Sequence, residues 1–158
     1  AWCKVALDCA LALHGPQHQD TAGTLYNMAI VYETQGDYEK ALFHFRKAQE
    51  VFVATLGHDC LSVAKTHNNM GTVYDSQGRY EDALGAYSKS LDIKIKVLSQ
   101  DSPDVADTKY NMAILHKKRG ESKVAKQLWL ECQAIYAKVF GADHSKTTNA
   151  AQQARDCA

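Results

Sequence analysis

The chain has no excess of charge, almost no proline, no long apolar run and no catalytic signature, and each absence narrows what it can be. Its 18 basic and 18 acidic side chains cancel, so it has no global electrostatic footprint for nucleic acid. No stretch approaches the roughly 18 consecutive apolar residues that a membrane-spanning helix needs, and no signal peptide is visible. Neither membrane insertion nor nucleic-acid binding is therefore expected. Pro16 and Pro103 are the two prolines in 158 residues, which leaves room for long uninterrupted helices. The cysteines Cys3, Cys9, Cys60, Cys132 and Cys157 are odd in number and show no CxxC spacing. Their alanine-rich, helical surroundings are unlike a disulfide framework. Free thiols in a reducing compartment follow, and with them a cytoplasmic location. No GxxxxGKS/T, HExxH or GxSxG motif occurs, so no catalytic residue, cofactor or metal site is expected. His14 and His18 are four residues apart, but Gly15-Pro16 breaks the helix that would align them as ligands.

What the chain does have is a fixed 42-residue step. Gly36, Gly78 and Gly120 keep it, as do Asn27, Asn69 and Asn111, Met28, Met70 and Met112, and Ala41, Ala83 and Ala125. A period of this size marks a solenoid, in which one supersecondary unit stacks on copies of itself. Stacked units present extended concave surfaces, which serve binding more often than catalysis.

Within a unit the spacing is helical. Ala22, Leu25, Met28, Ala29 and Tyr32 share one face of a 3.6-residue helix, and Gly36 supplies the positive φ that ends it. A second amphipathic run carries Ala41, Leu42, Phe45, Ala48, Phe52 and Leu56 and stops at Gly57. Neither helix can bury its apolar face alone, so each pair must pack on its neighbours. The pattern predicts eight antiparallel helices and no strands. Residues 1–14 form the second helix of a preceding repeat, 20–57, 62–99 and 102–141 form three repeats, the last divergent, and 145–158 form the first helix of a following one. The chain begins at Ala1 inside helical sequence, and neither end has a polar cap. It reads as a piece of a longer solenoid.

The run Ala29-x-x-Tyr32-x-x-x-Gly36-x-Tyr38-x-x-Ala41-x-x-x-Phe45-x-x-Ala48 resembles the tetratricopeptide repeat, and Gly71, Tyr74, Gly78, Tyr80, Ala83, Tyr87 and Ser90 resemble it again. The ordinary repeat has 34 residues; the extra eight lengthen the second helix by about two turns. That long form, with linkers such as Gly57-His58-Asp59-Cys60-Leu61-Ser62-Val63-Ala64 and Ser99-Gln100-Asp101-Ser102-Pro103-Asp104-Val105-Ala106, is similar to the repeats of kinesin light chains. The resemblance implies an all-α helical solenoid that binds extended peptide segments of partner proteins in a groove. It also implies cargo-adaptor work and a leaning toward acidic peptides.

Asn27, Asn69 and Asn111 draw attention because asparagine costs about half a kcal/mol or more against alanine inside a helix. One reading has the amides tie neighbouring helices together. The other has them grip a peptide backbone through donor and acceptor, and in peptide-binding members of the family the matching asparagine contacts ligand. Tyr26, Asn68 and Tyr110 lie one position earlier, and Ile30, Thr72 and Ile114 one turn later. Glu33 and Asp75 make the early floor acidic. Lys117 and Lys118, near Arg119, Lys123 and Lys126, make a late basic spot. That spot is either a solvated helix end or a seat for an acidic segment.

The third repeat departs from its siblings. His116 replaces Tyr74, Ser122 replaces Tyr80 and Trp129 replaces Tyr87, so a large buried contact is lost at Ser122 and part of it is refilled by Trp129. Two other roles remain open. One is an architectural element that locks into an assembly, or self-associates, through open repeat ends. The other is a regulatory arm of a larger protein.

Overall fold

The computed structural model describes residues 2–157, with side chains from residue 4 onward, so the thiol of Cys3 lies outside the described residues. Among them there are eight helices and no strand: α1 (Trp2–His14), α2 (Gln19–Thr34), α3 (Tyr38–Leu56), α4 (Leu61–Ser76), α5 (Tyr80–Leu98), α6 (Pro103–Lys118), α7 (Ser122–Phe140) and α8 (Ser145–Arg155). They group into two compact units, Ala1–Ala86 and Tyr87–Ala158, with α5 running through the boundary.

The 42-residue step is visible in the backbone hydrogen bonds. After α2, the Asp37 N–H donates to Tyr32 O at 2.9 Å and the Gly36 N–H to Glu33 O at 3.0 Å. Arg79 and Gly78 repeat this on Tyr74 and Asp75, and Glu121 and Gly120 on His116 and Lys117. This closure needs a left-handed residue, and Gly36, Gly78 and Gly120 provide it at φ 76°, 71° and 80°. The long helices end differently: Gly57 (φ 85°, ψ 171°) stops α3 and Gly141 (φ 95°, ψ 163°) stops α7. At the same place after α5 stands Ser99, with φ 95° and no glycine to ease it.

Helix starts vary in strength. His18 and His144 cap α2 and α8, each accepting from a backbone N–H on its Nδ1 at 3.2 Å. Ser102 caps α6 with Pro103 behind it, whereas Cys60 ahead of α4 makes no side-chain capping bond. Thr21 and Thr147 tie their helices back to the preceding turns, donating to Gly15 O at 2.7 Å and Gly141 O at 2.8 Å.

Fully buried alanines line the core of the first unit, among them Ala22, Ala29, Ala41, Ala48 and Ala64. Around them pack Leu42, Phe45, Phe52, Val63 and Val73, with the Tyr26 ring edge-on to Phe45 at 5.5 Å. In the second unit Trp129 is fully buried among Ala113, Ala125, Ala154 and Cys157. A neighbouring cluster joins Ala106, Cys132, Ile135, Tyr136 and Ala150. Tyr38 and Tyr80 are only half-buried, so Ser122 at that place forfeits less burial than its sequence implies. Trp129 instead enlarges a core position that Phe45 and Tyr87 also fill. Its indole N–H finds no acceptor.

One core position changes chemistry at every step. Phe52 in α3 and Tyr136 in α7 are buried aromatics, but the equivalent in α5 is Lys94, 5% exposed. Its ammonium donates to Thr108 Oγ1 at 2.8 Å and to Asp104 O at 3.1 Å. This is how a lysine is kept inside: its stem packs and its head finds oxygen.

Candidate peptide-binding site

A cleft of the second unit lies between α6 and α8, against the C-terminal part of α7. Asp107, Tyr110 and Asn111 come from α6, Tyr136 from α7, and Lys146 and Asn149 from α8; together they line about 250 Å³. Helical spacing puts Asp107, Tyr110 and Asn111 on one face of α6, and Lys146 and Asn149 one turn apart on α8.

The cleft floor is wired together. Tyr136 donates its hydroxyl to Asp107 Oδ1 at 2.6 Å. Lys146 Nζ donates to both oxygens of the same carboxylate, at 2.7 and 2.9 Å, and lies over the Tyr136 ring, 5.4 Å from its centroid. Burial, together with the adjoining Asp107, pushes the Tyr136 phenol well above its ordinary range. It stays a neutral donor. Burial likewise raises Tyr110, whose ring stands edge-on to Trp129 at 6.1 Å. Beneath them Cys132 donates to Ala106 O at 3.2 Å, and burial holds its thiol up at about 12. A thiol in that state is packing, not a nucleophile.

The corresponding place in the first unit is smaller, about 80 Å³ lined by Tyr26, Phe52, Ser62 and Lys65. Tyr26, Phe52, Ser62 and Lys65 lie 84 residues before Tyr110, Tyr136, Lys146 and Asn149. Gly23 stands where Asp107 would be, so no carboxylate bridge forms there.

The three asparagines part company. Asn69 Nδ2 donates to the Tyr26 hydroxyl at 2.8 Å, joining α4 to α2. Asn27 is exposed. Asn111 opens into the α6–α8 cleft. Ile30, Asn68 and Thr72 are half-buried, and Thr72 bonds back to Asn68 O within its own helix at 3.3 Å. Ile114 packs against the Trp129 cluster. Lys117 lies over the Trp129 ring at 5.3 Å and reaches Gln153 at 3.4 Å, while Lys118 is exposed. Glu33 is half-buried on α2, and desolvation raises its carboxyl above the ordinary value. The helix-end charges around Glu121 pair locally: His116 Nδ1 contacts one carboxylate oxygen, and Arg119 the other at 3.1 Å. The His116 contact holds Glu121 below the usual range.

Asp107, Tyr136, Lys146 and Asn149 do not stand out in the sequence, because each differs from the residue one 42-residue step before it: Lys65, Lys94, Asp104 and Asp107. The 84-residue match of Phe52 to Tyr136 was the signal available. The turn at Gly15-Pro16 does what the sequence implies and one thing more. The helix breaks there, between His14 and Gln19, yet the reversal brings the His14 and His18 rings into a stack at 4.7 Å.

Models of the tetratricopeptide repeat match residues 1–52 and 20–96, and a further one matches residues 105–145. The chain belongs to the tetratricopeptide repeat family. Its fold class is accordingly the all-α helical solenoid. Among solved structures, BtubC (BKLC) from P. vanneervenii is similar over 98% of this chain and 67% of that one, with a TM-score of 0.80 at 20% identity. A Podosopora anserina putative kinesin light chain with nearly identical TPR-like repeats gives a TM-score of 0.80 at 15% identity, over 98% and 74%. The Yersinia enterocolitica type III secretion translocator chaperone SycD gives 0.67 at 20% identity, over 89% and 85%. No curated protein matches the chain. The long tetratricopeptide repeat thus accounts for the fold, and the repeats place it among protein–protein interaction scaffolds.

Proposed function

We propose that this tetratricopeptide scaffold holds extended peptide segments of partner proteins, and that the α6–α8 cleft takes a partner side chain. The scaffold would comprise the repeats 20–57, 62–99 and 102–141, flanked by a helix on each side. The observation that carries the reading is the pair of carboxamides at the cleft, Asn111 and Asn149. Neither hydrogen-bonds another described residue, and both border a phenol-lined floor. A carboxamide offers both donor and acceptor to a backbone, and Tyr110 and Tyr136 offer apolar area at small entropic cost. Asp107 is already neutralised by Lys146, so the cleft favours an apolar or aromatic side chain. Lys117 and Lys118, at the end of α6, suit an acidic residue further along the peptide. On α2, Glu33 suits a basic one. The likeness to a putative kinesin light chain leads us to read the role as cargo-adaptor-like, non-catalytic and cytoplasmic.

Affinity for a short peptide should be near micromolar, because ordering the peptide offsets much of the contact energy. Peptide-library binding to the chain, beside Asn111→Ala/Asn149→Ala with its thermal melt checked, tests the reading. Selective peptides that the folded double variant binds roughly tenfold or more weakly are expected, since two lost hydrogen bonds are worth about 1–2 kcal/mol. Binding without selectivity, or untouched by the double change, overturns it.

A further inference from the structure

The turn between α1 and α2 carries a cluster for which peptide binding has no use. His14 ends α1, Gly15-Pro16 reverses the chain and His18 caps α2. The two imidazoles lie face to face with centroids 4.7 Å apart and planes 18° from parallel. Asp20 closes the group: its Oδ2 is 3.7 Å from His14 Nε2 and 3.5 Å from His18 Nδ1. One donor atom from each residue falls within 4.8 Å of the others.

We propose that His14, His18 and Asp20 form a surface site for a divalent transition cation of the zinc class. Two imidazoles and a carboxylate are a donor set such ions accept, with the remaining positions left to water. Metal–ligand distances of roughly 2.0–2.1 Å place neighbouring donors about 3.3 Å apart. The two spacings to Asp20 already come close to that, and small rotations of exposed side chains supply the rest. Coordination through His18 Nδ1 exchanges its capping bond from the Asp20 N–H for a metal bond.

The chain contains its own control for the bland alternative, in which these residues merely build the turn. After α7 the same turn recurs. There Phe140 and His144 stack at 4.7 Å, and His144 Nδ1 accepts from the Lys146 N–H at 3.2 Å, as His18 does from Asp20. Thr147 ties that turn to Gly141 as Thr21 ties this one to Gly15. Stacking and capping are thus complete with phenylalanine at the His14 place and lysine at the Asp20 place. What His14 and Asp20 add is two metal donors beside a third.

The test is calorimetric titration of Zn²⁺ into the untagged chain, into His14→Phe and into Asp20→Lys, with Co²⁺ spectra alongside. Both substitutions copy the Phe140 turn, so they preserve the fold, and unchanged helical circular dichroism checks this. The parent should take up one equivalent and show a cobalt spectrum without a thiolate charge-transfer band. Each variant should bind more than roughly a hundredfold more weakly, beyond the roughly 10–100-fold loss typical of outer-shell changes. His144→Ser should leave uptake unchanged. No uptake by the parent, equal uptake by His14→Phe and Asp20→Lys, or a thiolate band would overturn the assignment.

Discussion

Replacing Ser99 with glycine should stabilise the chain. Ser99 is the one non-glycine residue described at positive φ, 95°. It ends α5 as Gly57 and Gly141 end α3 and α7, and its N–H donates to Ile95 O at 3.1 Å as theirs donate to Val53 and Ala137 at 3.0 Å. The glycines sit at ψ 171° and 163°, in a region that is nearly glycine-only and costs other residues about 1–3 kcal/mol. Glycine gives back roughly 0.4–1 kcal/mol through the greater freedom of the unfolded chain. The net gain for Ser99→Gly is therefore about 1 kcal/mol, a rise of roughly 2–4 °C in midpoint for a chain of this length. Gly57→Ser should lose about 1 kcal/mol by the same reasoning, since the strain it imposes is only partly offset by a stiffer unfolded chain. Urea denaturation followed by circular dichroism reads both, and the slope should stay unchanged as the midpoint moves. If Ser99→Gly leaves the midpoint unmoved or lowers it, or if Gly57→Ser is neutral, the strain argument fails.

Two further perturbations probe the sites. Tyr136→Phe removes a bond to a carboxylate that Lys146 still satisfies, so it should cost about 1–1.5 kcal/mol; in a double-mutant cycle most of that cost should vanish once Asp107→Ala has removed the acceptor, and simple additivity would refute the coupling. Glu33→Gln should gain a few tenths to about 1 kcal/mol at pH 7, discounted for solvent screening. Because the folded carboxyl is raised, its charging penalty is absent below about pH 4 and grows as pH rises through the folded value. The advantage of Glu33→Gln in thermal melts should therefore appear on going from pH 4 to 7, and an advantage independent of pH would contradict this.

Much of the fold was legible because glycine punctuates it. Gly36, Gly78 and Gly120 mark the short closures, Gly57 and Gly141 the long ones, and the helices lie between them. The start of α4 was less clear, since Cys60 offers no capping oxygen and the helix begins at Leu61 rather than Ser62. The candidate site was only half legible. A period reveals which residues recur, not which ones they touch. Asn69 bonds Tyr26, 43 residues away, whereas Asn111 borders a cleft whose chemistry rests on Asp107 and Lys146, and these have no like counterparts in the first unit. Stacking of His14 on His18 depends on a chain reversal that helical spacing does not describe.

The series Phe52, Lys94, Tyr136 bears on how so repetitive a chain avoids mistaking one of its own segments for another. Units of equal length invite slippage by one whole copy, with every helix finding an almost identical neighbour. A slip that moved α5 into the place of α3 would carry the Lys94 ammonium away from Thr108 and Asp104 and set it beside Tyr26 and Lys65, where no carboxylate lines the site. An uncompensated buried charge is among the costliest errors a core can contain. The lysine thus acts as an address, telling the berth of the middle helix, where its charge is answered, from that of α3, where it is not.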